Sequence, residues 1–267
     1  MAGEGGGRGV ALVTGASGGI GLDVARELAA RGYDLWLTAR STGKLAEAAA
    51  TLMRAHPIQV EVVAGDLADP RGAARLAEAL SGRGVVPEVL VNNAGVGSHG
   101  RFADQDVAGL LGLIQLNVTS LAELTRRILP GMVARGSGRV LNVASTAGYV
   151  PGPFMAAYYA SKAFVLSLSV ALNEELRGSG VTVTALCPGA TRTGFDAAAG
   201  VSGSKLFRSG VMESAPVARA GVEAMLSGKP VVVPGLRNKV LAGSAGLGPR
   251  WLTAKVARAL QDPADMA

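Results

Sequence analysis

Cysteine and histidine are nearly absent from this chain of 267 residues, which contains one cysteine, Cys187, and two histidines, His56 and His99. A single cysteine closes no intramolecular disulfide, and these three side chains are too few for the usual ligand set of a zinc site. We therefore expect a protein of a reducing compartment that binds no metal. Cys187 ends an apolar run, where a free thiol is usually a small core residue, so we expect no redox role for it.

Charged and aromatic residues are also scarce, at 17% and 4%, whereas hydrophobic residues make up 49% of the chain. This balance excludes general disorder and predicts a globular protein with an aliphatic core. Long apolar runs are missing as well. The glycine-rich start lacks the apolar run of a secretory signal, and no later stretch is long enough to cross a bilayer. We expect a cytoplasmic protein.

The formal net charge is +6, which raises the question of a nucleic-acid partner. Lysine and arginine are spread along the chain, whereas binding of nucleic acid depends on cations gathered on one surface. We therefore expect a small-molecule substrate and no nucleic acid. A basic protein also suits a cofactor that carries several phosphates.

Short apolar runs alternate with longer segments of helical periodicity, which is typical of βαβ units that feed a parallel sheet. The predicted strands are 10–14, 34–39, 59–63, 86–91, 138–144, 181–187 and 230–234. The predicted helices are 19–31, 41–55, 70–81, 105–114, 119–135, 157–177 and 214–227. The pattern predicts an α/β protein: a single-domain, doubly wound Rossmann fold whose seven-stranded parallel sheet carries helices on both faces.

We divide the chain into a flexible N-terminus, a catalytic domain and a C-terminal extension, at residues 1–8, 9–234 and 235–267. Within the catalytic domain, residues 192–227 form a predicted substrate lid region. Its side chains Phe195, Leu206 and Phe207 either line an apolar pocket or only anchor the lid.

The glycine-rich segment VTGASGGIG, from Val13 to Gly21, follows the first strand and opens the first helix. Unsatisfied N–H groups and the helix dipole favour a phosphate there, and glycines let the backbone approach it closely. Glycine-rich turns are common, but this position after an N-terminal strand favours a dinucleotide site. The candidate contacts of this loop are Gly15, Ser17, Gly19, Ile20 and Gly21.

The end of the second strand indicates which nucleotide binds. An acidic residue there would bond the ribose 2′-hydroxyl, whereas arginine accommodates a 2′-phosphate. Ala39 occupies the acidic position and Arg40 follows it. A guanidinium pairs well with phosphate, so NADP(H) is favoured over NAD. The alternative is an ordinary exposed arginine at a helix start.

The spacing Thr14-Gly15-x-x-x-Gly19-x-Gly21 resembles that of the short-chain dehydrogenase/reductase family. Further matches, in the family's order over residues 9 to 195, are Asp66-Leu67, Asn92-Asn93-Ala94-Gly95, Asn117, Ser145, Tyr158-x-x-x-Lys162, Pro188-Gly189 and Thr191. The resemblance implies that Asp66 bonds the adenine amino group, that Asn93 and Gly95 pass beneath the nucleotide, and that Thr191 contacts the nicotinamide carboxamide. The asparagines are equally suited to holding neighbouring strands together. The other candidate cofactor contacts are Leu67, Ala94, Tyr158, Lys162, Pro188 and Gly189.

Reduction of a ketone needs a hydride on carbon and a proton on oxygen. Tyr158 is the candidate proton donor and acceptor, and Lys162, one helical turn away, supplies a cation that lowers its pKa. Ser145 follows the fifth strand and is placed to polarise the carbonyl. Asn117 completes the candidate catalytic set; in the family, the corresponding asparagine holds a water that links the lysine to solvent. Taken singly, these residues also fit a core aromatic, a solvated helix face, a helix cap and a turn.

We therefore predict an NADPH-dependent oxidoreductase that interconverts a carbonyl and a secondary alcohol, with a lipophilic ketone such as a 3-oxoacyl chain, a steroid or a ring ketone as substrate. The alternatives are an NAD-dependent alcohol or hydroxysteroid dehydrogenase and a non-catalytic nucleotide-binding regulatory protein. His99 lies near the expected substrate mouth, but a loop histidine is more often idle, and we leave it out of the site.

The C-terminal segment 250–260, RWLTAKVARAL, is a basic amphipathic helix with an apolar stripe through Leu252, Val256 and Ala259 or Leu260. Such a helix lies on a membrane surface, binds a partner, or folds over the substrate cleft. We expect it to dock on its own body or on a sister subunit rather than on a membrane. The extension replaces the glycine pair with which many family members end and which helps form their tetramer. We expect a homodimer or a homotetramer.

Overall fold

The computed structural model describes residues 8–201, 210–245 and 249–261, and confirms the predicted seven-stranded parallel sheet. The strands are β1 (Val10–Thr14), β2 (Asp34–Ala39), β3 (Val60–Ala64), β4 (Val89–Asn92), β5 (Gly138–Val143), β6 (Val181–Leu186) and β9 (Val231–Val232). Their order across the sheet is β3-β2-β1-β4-β5-β6-β9. Two further short strands, β7 (Thr191–Arg192) and β8 (Met212–Glu213), pair with each other outside the sheet.

Helices cover both faces of the sheet. They are α1 (Gly19–Ala29), α2 (Thr42–Ala55), α3 (Gly72–Ser81), α4 (Val107–Ile114), α5 (Leu121–Arg135), α6 (Ala156–Glu175), α7 (Phe195–Ala199), α8 (Ser214–Leu226), α9 (Leu236–Ser244) and α10 (Arg250–Gln261). Successive side chains of a strand point to opposite faces, and β1 shows the consequence. Ala11 and Val13 pack into the core beneath α1, α2 and α8, whereas Leu12 packs into the core beneath α3 and α5.

A continuous helical stretch replaces the two helices predicted at 105–114 and 119–135. Helices α4 and α5 are joined by one π-helical turn, Gln115–Ser120, which sequence periodicity does not reveal. The whole stretch, Val107–Arg135, is long and apolar enough to cross a membrane, which corrects the expectation that no segment is. Leu124, Ile128 and Met132 pack into the core of the sheet, so the stretch is part of the folded body.

In the C-terminal part, the seventh strand is shorter than predicted and one additional helix forms. The seventh strand of the sheet is only Val231–Val232, shorter than the predicted 230–234, and helix α9 was not predicted. Helix α10 forms where the basic amphipathic segment predicted it. The predicted N-terminal segment up to residue 7 and the lid side chains Leu206 and Phe207 lie outside the described residues.

The strand order places the nucleotide crevice. The chain moves from β1 toward β3 in one direction and from β4 toward β9 in the other, so the order reverses between β1 and β4. In doubly wound sheets, ligands bind outside the carboxyl ends of the strands at such a reversal. The segments that follow β1, β4, β5 and β6 therefore form the candidate site.

Candidate active site

The glycine-rich loop after β1 is packed too closely for side chains at Gly15, Gly19 and Gly21. Gly15 has φ +66°, and a Cβ there would lie 2.7 Å from Asn93 Nδ2 and 2.9 Å from Ala94 Cα. A Cβ at Gly21 would overlap the same Asn93 amide and the Gly15 carbonyl. No side chain caps the start of α1 at Gly18. The first N–H groups of this helix are thus left for an anion, as a pyrophosphate site requires.

Thr14 and Asn93 join this loop to the end of β4. Thr14 Oγ1 accepts hydrogen bonds from the backbone N–H groups of Asn93 at 2.9 Å and Ala94 at 3.0 Å. It donates to the carbonyl of Val91 at 3.1 Å. In return, the Asn93 amide donates to the carbonyls of Thr14 at 3.0 Å and Gly15 at 3.1 Å. In this structure, the side chain of Asn93 holds neighbouring strand ends together, as the structural alternative predicted.

The candidate residues of the adenosine end stand at adjacent strand ends. Arg40 follows β2, Asp66 follows β3, and these two strands pair up to Ala39 and Ala64. Asp66 Oδ1 accepts from the Ala68 N–H at 2.8 Å, which fixes the turn but leaves the carboxylate exposed. Arg40 is exposed and makes no hydrogen bond or ion pair with the described residues. Its guanidinium is thus available to a nucleotide phosphate. Leu67 is buried in the core and supplies backbone only.

Tyr158, Ser145 and Lys162 meet beside β5. Ser145 Oγ accepts from the Ala147 N–H at 3.1 Å and donates to the carbonyl of Pro188 at 3.3 Å. It also shares a hydrogen bond with the phenol of Tyr158. Lys162 Nζ donates to the carbonyl of Val143 at 2.7 Å and lies 5.8 Å from the centre of the Tyr158 ring.

Asn117 reaches the same place from the π-helical turn. Its amide donates to the carbonyl of Val96 at 2.9 Å and to Ser161 Oγ at 3.1 Å, and its oxygen accepts from the Val96 N–H at 3.0 Å. A Cβ at Gly95 would lie 3.2 Å from Asn117 Oδ1 and 3.6 Å from Lys162 Nζ. The structure therefore brings all four candidate catalytic residues together, with Gly95 beside Asn117 and Lys162.

Burial controls the protonation of the two titratable groups. It raises the pKa of the Tyr158 phenol above its ordinary value, although the hydrogen bond with Ser145 lowers that pKa in part. It lowers the pKa of Lys162 to about 8. Desolvation disfavours whichever form is charged, so the phenol stays protonated while the ammonium becomes easier to deprotonate. In this structure burial outweighs the lowering of the Tyr158 pKa that we expect from Lys162, and that lowering stays a prediction.

The residues after β6 cover the glycine-rich loop and the candidate catalytic residues. Thr191 is buried and donates to the carbonyl of Gly189 at 3.0 Å. Thr193 packs on the glycine-rich loop, with its Cβ 2.7 Å from where a Cβ of Gly19 would lie. The ring of Phe195 stands 5.2 Å from the ring of Tyr158, centre to centre. The first part of the predicted lid thus covers both the loop and the candidate catalytic tyrosine.

Helix α10 closes the outer side of the cleft through contacts that the sequence does not reveal. The carbonyl of Gln261 lies 2.8 Å from His99 Nε2, and its side-chain amide donates to the hydroxyl of Tyr159. The guanidinium of Arg258 stands 5.8 Å from the Phe154 ring centre. His99, which we leave out of the site, contacts this helix in the structure. These partners are 102 to 162 residues apart along the chain, and no local pattern signals them.

We expect Gln261→Ala to loosen helix α10 without unfolding the protein. The substitution removes a buried hydrogen bond to Tyr159, and such bonds contribute about 1 kcal/mol. Amide hydrogen exchange in residues 250–261 should accelerate, while exchange in the strands stays unchanged. Gln59→Ala, at an exposed position without a side-chain partner, is the matched control. Unchanged exchange in α10 would show that Gln261 does not hold this helix.

The family profile described as short chain dehydrogenase matches residues 9–201. A very-long-chain 3-oxoacyl-CoA reductase from Bos taurus is 32% identical over 251 residues, which are 92% of this chain and 78% of the relative. A short-chain dehydrogenase from Sphingobium yanoikuyae in complex with NADPH has a TM-score of 0.80 and 36% identity, covering 88% of this chain and 92% of its own. A short chain dehydrogenase/reductase from Burkholderia phymatum in complex with NAD has a TM-score of 0.78 and 29% identity, covering 88% and 91%.

Proposed function

The chain belongs to the short-chain dehydrogenase family, and from that premise we propose that it is an NADPH-dependent reductase of lipophilic ketones. The chain is an oxidoreductase that acts on a ketone or the corresponding alcohol. One observation above all supports the proposal of an NADPH-dependent reductase. Tyr158, Ser145 and Lys162 meet beside a glycine-rich loop that is suited to a pyrophosphate. When bound, the nicotinamide supplies the hydride.

Tyr158 delivers the proton. Its raised pKa keeps the phenol protonated across the neutral range, so it can donate to the ketone oxygen as the hydride reaches the carbon. Ser145 lies beside this phenol, and its hydroxyl donates to the same substrate oxygen when its hydrogen turns from the carbonyl of Pro188. A donor aimed at the oxygen on which negative charge develops stabilises the transition state more than the ground state.

Lys162 acts on the tyrosine and on the cofactor. As a cation it stabilises the phenolate that remains when the proton has left, and its Nζ is the candidate donor to the hydroxyls of the nicotinamide ribose. The loop residues Gly15, Ser17, Gly19, Ile20 and Gly21 would hold the pyrophosphate. Asp66, Leu67, Ala94 and Gly95 would hold the adenosine side, and Pro188, Gly189 and Thr191 the nicotinamide.

We assign the preference for NADPH to Arg40. This side chain is exposed at the end of β2, has no partner among the described residues and faces no acid at position 39. A guanidinium there pairs with a 2′-phosphate by charge-assisted hydrogen bonds. The Sphingobium relative with NADPH agrees with this assignment, whereas the Burkholderia relative with NAD favours the alternative, an NAD-dependent dehydrogenase.

Arg40→Ala should separate these alternatives. We expect the KM for NADPH to rise about tenfold or more, because one charge-assisted pair contributes roughly 1.5–3 kcal/mol. The KM for NADH should change less than twofold, since NADH lacks the phosphate. Arg54→Ala, on the exposed side of α2, is the matched control. Equal effects on both cofactors would place Arg40 outside the 2′-phosphate site.

The proposed substrate is a 3-oxoacyl chain, with a steroid or ring ketone as the alternative. The name of the bovine relative indicates the first class. The apolar side chains of Phe195, Ala199 and Val201 cover Tyr158 and Tyr159, and such a wall suits an alkyl chain. A panel of 3-oxoacyl thioesters, steroids and cyclic ketones, followed by NADPH absorbance, tests the class. Turnover only with small polar ketones would contradict it.

We further propose that the enzyme works in the cytoplasm. We also propose that it works in the direction of reduction, because NADPH is a reductant. The expected homodimer or homotetramer stays a prediction. Size measurement by light scattering on the purified full chain will test it.

A further inference from the structure

The apolar stripe of helix α10 faces solvent. We expected the stripe through Leu252, Val256 and Ala259 or Leu260 to pack on the body of the protein, but Ala257 and Gln261 are the buried ones among the side chains of this helix that the structure describes. Trp251, Leu252 and Val256 are 62%, 46% and 59% exposed. Among the described side chains of α10, those that face the body are small or polar, whereas Trp251, Leu252 and Val256 face outward.

The segment that carries this stripe is rich in cations. Residues 235–261 contain five cations, Arg237, Lys239, Arg250, Lys255 and Arg258, and no aspartate or glutamate. Asp262 and Asp265 follow this segment, so the extension 235–267 carries a formal charge of +3, half of the +6 of the whole chain. Lys255 Nζ lies 5.0 Å from the centre of the Trp251 ring, so charge and aromatic surface stand side by side.

Helix α9 adds to the same edge of the molecule. It carries Leu236 at 78% exposure, with Val240 and Leu241 exposed as well. Asn238 packs against Gly189 after β6, while α10 rests on His99 after β4 and on Tyr159. Both helices thus lie outside the carboxyl ends of the sheet strands, on the side where the substrate enters.

We propose that α9 and α10 dock the protein on an anionic lipid surface. Interfacial helices combine outward apolar side chains, tryptophan among them, with flanking lysine and arginine that anionic headgroups attract. A second copy paired through the same surface would bring Lys239, Arg250 and Lys255 of both copies together, which opposes self-association there. An anionic membrane would bury the apolar stripe and also attract the cations beside it.

This docking places the cleft mouth at the bilayer. Gln261, the last residue of α10, contacts Tyr159, the neighbour of Tyr158, so the helix that meets the lipid also borders the site. A ketone dissolved in the bilayer then reaches the cleft without crossing water. The surface itself is defined by exposure and charge and stands independently of the proposed activity.

Co-sedimentation of the full chain with vesicles tests the proposal. We expect binding to phosphatidylglycerol/phosphatidylcholine vesicles at low salt, little binding to pure phosphatidylcholine, and release at 1 M salt, where the Debye length falls to about 3 Å. Trp36 is buried in the core, so a blue shift of tryptophan emission on binding reports Trp251. Absence of binding to the anionic vesicles, or equal binding to neutral ones, would overturn the proposal.

Two substitutions on the exposed face of α10 identify the surface. Lys255→Gln should lower the vesicle partition coefficient about fivefold, because one cation near an anionic surface strengthens binding by about that factor. Trp251→Glu should reduce binding to background. Met53→Glu and Lys229→Gln, at exposed positions on other elements, are the matched controls and should bind like the parent. If Trp251→Glu instead converted a dimer into a monomer and left vesicle binding unchanged, the occupant would be a second copy.

Discussion

Replacing Tyr158 with phenylalanine will lower kcat for ketone reduction by about 10²–10⁴-fold, the usual contribution of a positioned general acid. The ring of phenylalanine preserves the contact with Phe195 and the edge-to-face contact with Tyr159, so only the proton donor is lost. Affinity for NADPH should change little, because the loop that holds its phosphates is untouched. Steady-state kinetics together with a fluorescence titration of NADPH measure both quantities.

Tyr33→Phe is the control for this substitution. Tyr33 is a buried tyrosine of the core beneath α1 and α2, away from the cleft, and its variant should retain full turnover. Loss of NADPH affinity together with turnover in Tyr158→Phe would indicate a damaged fold rather than a missing proton donor. Unaffected turnover would remove Tyr158 from the reaction.

Lys162→Met will lower kcat by about 10²-fold or more, because the phenolate formed at Tyr158 loses its neighbouring cation. In the parent, burial lowers the pKa of Lys162 to about 8. Reduction requires the charged lysine, so its rate in the parent should fall as the pH rises through that value. In the variant, this step in the pH profile should be absent. A profile with the same step near pH 8 in both proteins would assign the titration to another group.

The same substitution should stabilise the protein. Because the folded state lowers the pKa of Lys162 from its ordinary 10.5 to about 8, burying the charged ammonium opposes folding below pH 8. Removing the charge should raise the free energy of unfolding by about 1–2 kcal/mol at neutral pH, after loss of the bond to the Val143 carbonyl. Stability of the parent rises between pH 8 and 10.5, where only the unfolded chain keeps the proton, so the difference shrinks across that window. Thermal unfolding at several pH values measures the stability difference between the variant and the parent. A variant less stable than the parent at pH 7 would contradict the prediction.

The sheet and the nucleotide crevice were predictable because their signals are local. Each strand is a short apolar run, and the glycine-rich turn follows the first of them, so the topology of βαβ units places the crevice without further information. The helix boundaries were less exact where backbone hydrogen bonding departs from the α pattern. The π-helical turn that carries Asn117 is an example, since apolar periodicity continues through it.

The C-terminal extension was only half predictable. Periodicity identified an amphipathic helix at 250–260, but periodicity does not reveal which face meets the body. The small side chain of Ala257 and the bonds of Gln261 to His99 and Tyr159 decide that orientation, and those partners come from distant parts of the chain. Long-range pairing of this kind leaves no trace in a local pattern.

We propose that a hydride from NADPH reaches the carbonyl carbon of a ketone in this site. The most direct measurement supplies NADPH labelled with deuterium at the transferred position, together with a 3-oxoacyl thioester, and follows the product by mass spectrometry. We predict an alcohol with one deuterium on the carbinol carbon, formed in step with NADPH oxidation and lost in Tyr158→Phe. An unlabelled alcohol, or no oxidation of NADPH across the whole ketone panel, would contradict the account.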